Sequence, residues 1–535
     1  MWFLYDNIVA IQVAVVACAF AWIFGGTVAW AILPAMPWLL VLLLEVMVCY
    51  PQRHMGESTY MARDRVWRAM RKDPLVWVAL AFILLLVVPF CNKGLCPVCD
   101  YPALNFDGAK DAIRYLPFCV DRMDHLEVFM WFASALVAMV AVKHSLLKRG
   151  KRILLELVVW NGFALSIVGF IESAVGAPGP LWADFDGTNT YFFSTFGYPN
   201  MAGDYFTTLF ALAVALWRRR VDDARMEESS QAAGDGDASA KADHRMFWTK
   251  HLYAIPTVFF FFSTMITLSR ASILLVVSLA LLFYMHALTC HLKRLSRVKR
   301  VRTTVLNIFA LLAIATIFFL FMSDNVRQLI ARAKSSEVTS AESQSAQPAE
   351  GPDFAKRLEK ELDSIDAFSV LDRMSGHAQY HVRVATGIWK KHPLFGCGGW
   401  GYRHLCIPEM TDAEYAKLQK VGGANVHNDL IQFLCEHGAV GVALLVAMVV
   451  MLVWPLGRVW RALLNSVRFQ KPKDQPPRPL SLFVLPAPVF CILLAAFATL
   501  IHSMADCPLR SPAVLTLFFI SLAAMDGFTP RVRER

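Results

Sequence analysis

Residues 424–441 read ANVHNDLIQFLCEHGAVG, and this stretch decides how the chain meets a membrane. A polar start that contains His427 and Asn428 runs directly into the apolar helix pattern of residues 430–434. The stretch therefore marks a point where a long polar segment re-enters a bilayer. A histidine can exchange a proton near neutral pH, which suits a boundary between a lipid-borne and a water-borne substrate. The alternative is an interfacial histidine that only contacts lipid headgroups.

Outside this stretch, apolar runs recur along a chain that is 56% hydrophobic and 18% charged, with a mean hydropathy of +0.46. Their lengths match the roughly 20 residues that a helix needs to cross a bilayer. The sequence therefore predicts an all-α polytopic membrane protein with about twelve transmembrane helices. The predicted spans are 8–24, 27–48, 74–90, 125–142, 153–172, 201–217, 251–268, 271–290, 305–322, 430–454, 481–501 and 513–526.

The positions of Lys and Arg predict the orientation, because basic residues next to a span resist translocation. Of the 52 basic residues, 33 fall in a set of short loops and in the tail after residue 526. These loops are 51–73, 143–152, 218–250, 291–304 and 455–480. If they are cytoplasmic, both termini are cytoplasmic and the long segment 323–427 lies outside. The bias also explains the net charge of +10, so no nucleic-acid partner is invoked.

Three regions follow from this topology. Residues 1–322 hold the first nine spans and a Cys-bearing external loop at 91–124, residues 323–427 form a large periplasmic loop domain, and residues 428–535 hold the last three spans and a cytoplasmic tail. Within the loop domain, 334–352 has a disorder-type composition, whereas 353–366 and 373–391 have helical patterns. We therefore expect a helical periplasmic cap.

Six of the twelve cysteines lie in two segments predicted to be external, the loop at 91–124 and the segment 323–427, where an oxidising compartment favours disulfides. Cys397 and Cys406 flank a glycine-rich turn, and we expect them to form one disulfide. The other four share the first external loop, where two disulfides are expected, with a zinc site or a redox pair as the alternatives. These four are Cys91, Cys96, Cys99 and Cys119.

Several polar residues are predicted at the outer ends of spans. The connection before Arg270 is so short that its guanidinium must lie at or just inside the membrane surface, where phosphate is the abundant anion. The alternatives are a snorkelling Arg270 and, for Arg383, a solvated helix residue. His427 and Asp506 are expected at the same face. The sequence contains no P-loop, His-Glu-x-x-His or Gly-x-Ser-x-Gly motif, so nucleotide hydrolysis, a zincin protease and an α/β-hydrolase are unsupported.

Ordered motifs between about residues 190 and 512 carry a resemblance to a known family. They are FGYPN at 196–200, LSRA at 268–271, Arg383 followed by WKKHPLFGCG at 389–398, HNDL at 427–430 with EHG at 436–438, and DCPL at 506–509. In this order they resemble the O-antigen ligase and O-antigen polymerase superfamily of bacterial inner-membrane glycosyltransferases. Residues 1–190 carry almost none of the resemblance.

The resemblance implies a metal-independent, cofactor-free, inverting glycosyltransferase whose active site faces the periplasm. Such an enzyme moves a glycan from an undecaprenyl-diphosphate carrier to an acceptor hydroxyl. On the matching positions, Arg270 and Arg383 would bind the diphosphate, His427 would activate the hydroxyl and Asp506 would support the site. Supporting roles are also expected for Ser269, Asn200 and Asn428.

The acceptor distinguishes the members of this superfamily, and the sequence does not choose among them. A lipid A-core acceptor would make the protein an O-antigen ligase, which is the main expectation. A lipid-linked repeat unit would make it a polymerase, and a protein acceptor would make it a protein O-oligosaccharyltransferase. A non-enzyme alternative is a transporter for lipid-linked glycans, which is less favoured because the spans contain few ionisable residues beyond Glu45.

Overall fold

The computed structural model describes residues 7–92, 113, 116–183, 192–231, 250–292, 380–412, 414–415, 425–469 and 485–529. Within these residues the chain forms helices and turns but no β-strand, and one isolated bridge joins Phe193 to Phe196. The helices are α1 (Ile8–Trp22), α2 (Ala29–Cys49), α3 (Thr59–Lys72), α4 (Pro74–Val87), α5 (Arg122–Val140), α6 (Lys148–Val175), α7 (Pro199–Gln231), α8 (Ala254–Ile266), α9 (Arg270–Leu292), α10 (380–391), α11 (Gly401–Leu405), α12 (Asp429–Phe469), α13 (Ala487–His502) and α14 (Pro512–Ala524). The all-α prediction is confirmed for this part of the chain.

Several of these helices begin at residues whose chemistry favours a helix start. The Asp73 side chain accepts the Leu75 N–H at the start of α4, and the Asp121 side chain accepts two backbone N–H groups at the start of α5. Proline is the first residue of α4, α7 and α14, where its missing N–H is not needed and its fixed φ is already helical. The helix starts are therefore set locally by the sequence.

Five helical stretches are long and apolar enough to cross a membrane: Ile32–Cys49, Arg122–Ser145, Lys148–Val175, Arg270–Thr289 and Asp429–Gly457. A sixth span results if α3 and the stretch Pro74–Phe90, bent by 72° relative to each other, are counted together. The shorter apolar helices are Ile8–Trp22, Ala254–Ile266, Ala487–His502 and Pro512–Phe528. The chain is therefore a multi-pass membrane protein. The count of twelve stays a prediction, because the predicted span 305–322 lies outside the described residues.

Two helices form the centre of the bundle. All of α14 is buried, and so are residues 201–216 of α7. An apolar helix that is buried on every side must be surrounded by other helices rather than by lipid or water. By contrast, only 28% of the Ile32–Cys49 window and 22% of the apolar window in α12 are buried. α2 and α12 therefore lie at the periphery of the described bundle.

One end of the bundle gathers loops that the charge pattern predicts to be cytoplasmic. Gln52 donates to Asn7 at 3.0 Å and accepts the Leu147 N–H at 2.7 Å. Lys148 Nζ donates to the carbonyl of Thr529 at 2.7 Å. The first described residues, the loops near 52 and 147 and the end of the described chain therefore lie together. The start of α14 lies at the opposite end, which carries the candidate site.

The structure also contains helical segments that the hydropathy pattern missed or shortened. α3 lies inside 51–73, which was predicted to be a loop because of its charge. α7 and α12 extend past the predicted span ends at 217 and 454, and α12 does so across Pro455. α13 begins at Ala487, directly after Pro486, rather than at 481. Hydropathy detects the apolar part of a helix, so polar extensions escape it.

Candidate functional site

The candidate site is built where the start of α12 meets the turn that joins α13 to α14. The Asp429 N–H donates to the carbonyl of Ser503 at 2.8 Å, and the Asp429 carboxylate accepts the Leu509 N–H at 2.8 Å. Asn428, the residue before α12, accepts the Ile431 N–H with its side chain and donates to the carbonyl of Met504 at 2.9 Å. These bonds fix the two residues after His427 to the turn that carries Asp506, and the supporting role of Asn428 stays a prediction.

His427 has a backbone conformation that is uncommon for a non-glycine residue. Its φ is +53°, in the left-handed region, where the Cβ atom crowds the backbone. Neighbouring bonds hold this geometry, because the Val426 N–H donates to Gln432 Oε1 at 3.1 Å. Such strain of about 1–3 kcal/mol persists only where the surroundings enforce it, and it is often found at functional sites.

His427 and Asp506 form a hydrogen-bonded pair, with Nδ1 3.1 Å from Oδ1. An ionised carboxylate only accepts hydrogen bonds, so Nδ1 carries the proton and Nε2 is the basic nitrogen of the neutral ring. Burial opposes the charged imidazolium, but the hydrogen bond and the charge of Asp506 outweigh it and raise the pKa of His427 above its ordinary value. The side chain is 38% exposed. His427 thus combines basicity with access.

Asp506 is buried and accepts hydrogen bonds from four residues. Tyr198 donates its hydroxyl to Oδ2 at 2.9 Å, Asn200 donates its side-chain amide, and the Cys507 N–H donates to Oδ1 at 2.8 Å. Burial disfavours the carboxylate, but these donors and His427 hold the pKa of Asp506 well below its ordinary value. Asp506 is therefore an anion in contact with His427 and Asn200, and the supporting role of Asn200 stays a prediction.

His427, Asp506 and Cys507 bring three potential metal-ligand atoms within 4.8 Å of one another. The Asp506 oxygens accept hydrogen bonds from Tyr198, Asn200 and the Cys507 N–H, so a cation would compete with these donors. Burial and the neighbouring Asp506 raise the pKa of the Cys507 thiol well above its ordinary range. Metal independence stays a prediction for this site.

The glycine-rich segment packs against a break in α12. Gly438 has φ +65° and ψ −176°, which interrupts the helix and frees backbone groups on both sides. The Ala439 N–H donates to the carbonyl of Pro393 at 2.9 Å, and the Gly398 N–H donates to the carbonyl of Glu436 at 2.8 Å. A Cβ atom at Gly438 would lie 2.3 Å from the Leu394 carbonyl carbon. The motifs at 389–398 and 436–438 therefore form one tight backbone contact.

A buried arginine joins this contact to the turn that carries Asp506. Arg510 Nη2 lies 2.8 Å from the Glu436 carboxylate, and its Nε lies 3.8 Å from Asp429. Its guanidinium also lies over the rings of Trp400 and Phe433, at 4.7 and 5.0 Å from their centroids. Arg510 is 1% exposed, so removing it would leave buried carboxylates without a cation. The cluster rigidly links α12 to the α13–α14 turn.

Ser269 and Arg270 lie at the start of α9, beside the first turns of α7. A Cβ atom at Gly203 would meet Ser272 Oγ at 2.3 Å and Ser269 Cβ at 3.1 Å, so α7 and α9 are in close contact there. Ser269 is buried, and its hydroxyl lies 2.9 Å from that of Ser272. Gly203 is less than one helical turn from Asn200. Arg270, which is half-buried, therefore begins its helix on the side of the bundle that carries Asp506.

Arg383 lies on α10, and its side chain is 56% exposed. Its Nη2 donates to both oxygens of Glu414, at 2.9 and 2.7 Å. Two residues earlier, the buried His381 ring lies 6.2 Å from the His427 ring, centroid to centroid, and its Nδ1 lies 2.7 Å from the Tyr402 hydroxyl. α10 therefore passes beside His427, with Arg383 on its exposed face.

In the structure, Cys397 lies close to a cysteine other than its predicted partner Cys406. Cys397 Sγ lies 3.9 Å from Cys435 Sγ, and Cys406 Sγ donates to the carbonyl of Arg403. Cys91, Cys119, Cys397 and Cys406 carry free thiols here, while Cys96 and Cys99 lie outside the described residues. The Cys397–Cys406 disulfide stays a prediction, and Cys435 is the alternative that the geometry adds.

Sequence reasoning did not single out several residues of this region. Tyr198 was noted only within a motif, and His381, Tyr402 and Arg510 were not considered. Tyr198 and Asp506 are 308 positions apart, so no local pattern predicts their contact. For Arg510 the sequence does contain a signal, because an arginine just before an apolar helix needs an acidic partner if it is buried.

Comparison with known proteins bears on residues 255–446, which match the family model described as O-Antigen ligase. No curated protein matches the chain. The matched range contains Arg270, Arg383, His427 and the break at Gly438, whereas Asn200 and Asp506 lie outside it. It therefore confirms the resemblance over the segment that carries most of its motifs. Over residues 255–446, the chain is similar to the O-antigen ligase superfamily.

Proposed function

We propose that the protein transfers a glycan from an undecaprenyl-diphosphate carrier to a lipid A-core hydroxyl, with His427 as the general base. The observation that carries this proposal is the 3.1 Å contact between His427 and a buried, ionised Asp506, in a site whose imidazole is 38% exposed. This is the arrangement that a base needs, because the carboxylate orients the ring and Nε2 can reach a substrate.

In the proposed reaction, Nε2 of His427 removes the proton of the acceptor hydroxyl. The acceptor oxygen attacks the anomeric carbon while the bond between that carbon and the phosphate oxygen breaks. Undecaprenyl diphosphate leaves with the bonding electrons, and the configuration at the anomeric carbon inverts. Asp506 stabilises the imidazolium that forms, and its four hydrogen-bond donors keep it in place.

Arg270 and Arg383 are the proposed ligands of the diphosphate. Two guanidinium groups suit this leaving group, because their forked N–H donors match phosphate oxygens and neutralise developing charge. Arg270 is supported by its position at the start of α9, beside the helix turn that carries Asn200. Arg383 is the more exposed member of its ion pair, and the partly buried Glu414 carboxylate stands where a phosphate would bind and can exchange with the donor.

The direct test replaces His427 with alanine and measures transfer by purified protein from a lipid-diphosphate glycan to a lipid A-core acceptor. We expect a fall of about 10²–10⁴-fold in kcat, which is the usual contribution of a general base. His404→Ala is the matched control, because His404 is also half-exposed and lies 3.0 Å from a carboxylate, that of Asp124. Near wild-type transfer by a monodisperse His427→Ala variant would disprove the assignment.

The acceptor is tested separately by deleting the gene in its host and examining surface polysaccharide on a gel. Accumulation of unattached, lipid-linked polymer is expected from the loss of a ligase. Accumulation of single repeat units would instead identify a polymerase, and unchanged polysaccharide with loss of a glycoprotein would identify a protein acceptor. The base assignment survives any of these outcomes, because all three acceptors present a hydroxyl.

A further inference from the structure

A second histidine–carboxylate pair lies inside the bundle, and the proposed mechanism does not use it. His502 Nδ1, at the end of α13, lies 3.1 Å from Asp204 Oδ1 on α7, and both side chains are 0% exposed. The other carboxylate oxygen accepts the Thr499 hydroxyl at 2.9 Å. Among the described residues, His502 Nε2 has no hydrogen-bond partner. A buried polar pair of this kind is costly unless it serves the structure or the reaction.

The two helices that carry this pair also make contacts with Asp506. Asn200, which donates to the Asp506 side chain, lies one helical turn before Asp204 on α7. The carbonyl of His502 accepts the backbone N–H of Asp506 at 2.9 Å. A bond between Asp204 and His502 therefore ties α7 to α13 directly behind Asp506, and it fixes both the side chain and the backbone of that residue.

The charges around the site leave Asp204 dependent on His502. Arg510 is the cation next to the buried carboxylates of Asp429 and Glu436, and His427 is paired with Asp506. His502 is the basic side chain that contacts Asp204. Replacing either residue would leave the other buried without its hydrogen-bond partner, so the two act as a unit.

We propose that His502 and Asp204 are positioning residues for glycan transfer, which hold Asp506 within hydrogen-bonding distance of His427. The inference rests on the proposed function of His427 as the base. It assigns no contact with the substrate to either residue. Their effect on the reaction passes entirely through Asp506.

The pKa of His427 depends on whether Asp506 stays within hydrogen-bonding distance of Nδ1. The groups that face His427 are Asp506 from the α13–α14 turn, Asp429 from α12 and His381 from α10. Replacing His502 or Asp204 changes none of these three residues. If Asp506 moves away from Nδ1, His427 loses the contact that raises its pKa, and its protonation midpoint falls to lower pH.

The test measures the protonation of His427 without relying on glycan transfer. Diethyl pyrocarbonate acylates neutral imidazole, and the rate at the His427 peptide is followed by mass spectrometry across pH. We expect Asp204→Asn and His502→Gln to shift the midpoint to lower pH, in the direction given by Asp506→Asn. In the transfer assay, kcat should fall about tenfold to a hundredfold with an unchanged KM for the donor, since small misplacements at a reacting group have this effect.

His286→Gln is the matched control. His286 is also buried and stacks on Phe490 of α13, but its Nε2 lies 3.4 Å from the carbonyl of Leu485, at the other end of that helix. It should change neither the midpoint nor kcat. The proposal is overturned if Asp204→Asn and His502→Gln keep the wild-type midpoint of His427, or if His286→Gln shifts that midpoint equally. It is also overturned if both single variants and the Asp204→Asn/His502→Gln double variant are misfolded. A midpoint shift in a protein that transfers no glycan would retain the positioning role and reject the proposed function.

Discussion

At the scale of single residues, the chemistry of the site depends on the hydrogen-bond partners of His427 and Asp506. His427 is useful as a base because Asp506 is anionic, and Asp506 is anionic because buried donors surround it. The sequence predicted His427, Asp506 and Asn200 from motifs, and the structure brings all three into contact. It did not predict Tyr198 as a ligand of Asp506, because a contact across 308 positions is decided by how α7 packs against α13 and α14.

The pH dependence of transfer should follow His427. The base must be neutral, so kcat/KM is expected to rise with pH through the pKa of His427, with a midpoint above the ordinary value for histidine in the wild-type protein. Asp506→Asn removes the charge that raises this pKa, so the midpoint should move to lower pH while the plateau rate falls. A pH profile of kcat/KM measures both effects. An unchanged or higher midpoint in Asp506→Asn would mean that another group controls the acid limb.

Arg270 and Arg383 should act on donor binding through the shape of the guanidinium. Lysine at either position keeps the charge but loses the fork, so we expect KM for the lipid-diphosphate donor to rise about tenfold, which corresponds to roughly 1.4 kcal/mol. Glu414→Gln is the informative partner variant, because it frees Arg383 from its surface ion pair and should leave donor binding equal or tighter. Unchanged donor KM in both lysine variants would contradict the diphosphate role.

At the scale of elements, the break in α12 explains why two separated motifs occur together. The hydropathy pattern predicts one span at 430–454, and the structure has one helical stretch there, Asp429–Gly457, that is long and apolar enough to cross a membrane. The pattern does not reveal that Gly438 interrupts the helix, because the interruption depends on hydrogen bonds from 393–398. The sequence shows a glycine-rich turn at this point, and the structure packs that turn against the break in α12.

Gly438→Ala should therefore destabilise the protein. The alanine Cβ would lie 2.3 Å from backbone atoms of Leu394 at a φ of +65°, which costs at least about 1–3 kcal/mol before the backbone shifts. Gly457→Ala is the control in the same helix, where a Cβ meets nothing within 4 Å and alanine should stabilise by up to about 1 kcal/mol. Thermal unfolding in detergent compares the two. An equal or higher Tm for Gly438→Ala would show that the contact between 393–398 and α12 is dispensable.

At the scale of the whole molecule, the charge pattern and the packing agree on two distinct ends. The loops near Gln52 and Leu147 were assigned to one side from their Lys and Arg content alone, and hydrogen bonds join them in the structure. α14 connects that end to the site, since Asp526 pairs with Lys151 at 2.6 Å while Ser511 adjoins the Asp506 turn. The grouping of these two loops was predictable because it follows from local charge. The arrangement of helices was not, because apolar surfaces pack with little directional preference.

The two ends should face opposite compartments. The end of the bundle that contains Asn7 and Thr529 is expected in the cytoplasm, and His427 is expected in the periplasm. A reporter that is active only in the cytoplasm should function when fused after residue 535 or inserted at Gly56, an exposed turn where a Cβ would meet nothing within 4 Å. The same reporter inserted at the exposed Asp412 should be inactive, and a periplasmic reporter should show the reverse pattern. If the cytoplasmic reporter is active at Asp412, His427 lies on the cytoplasmic side together with both termini. The site would then not be periplasmic.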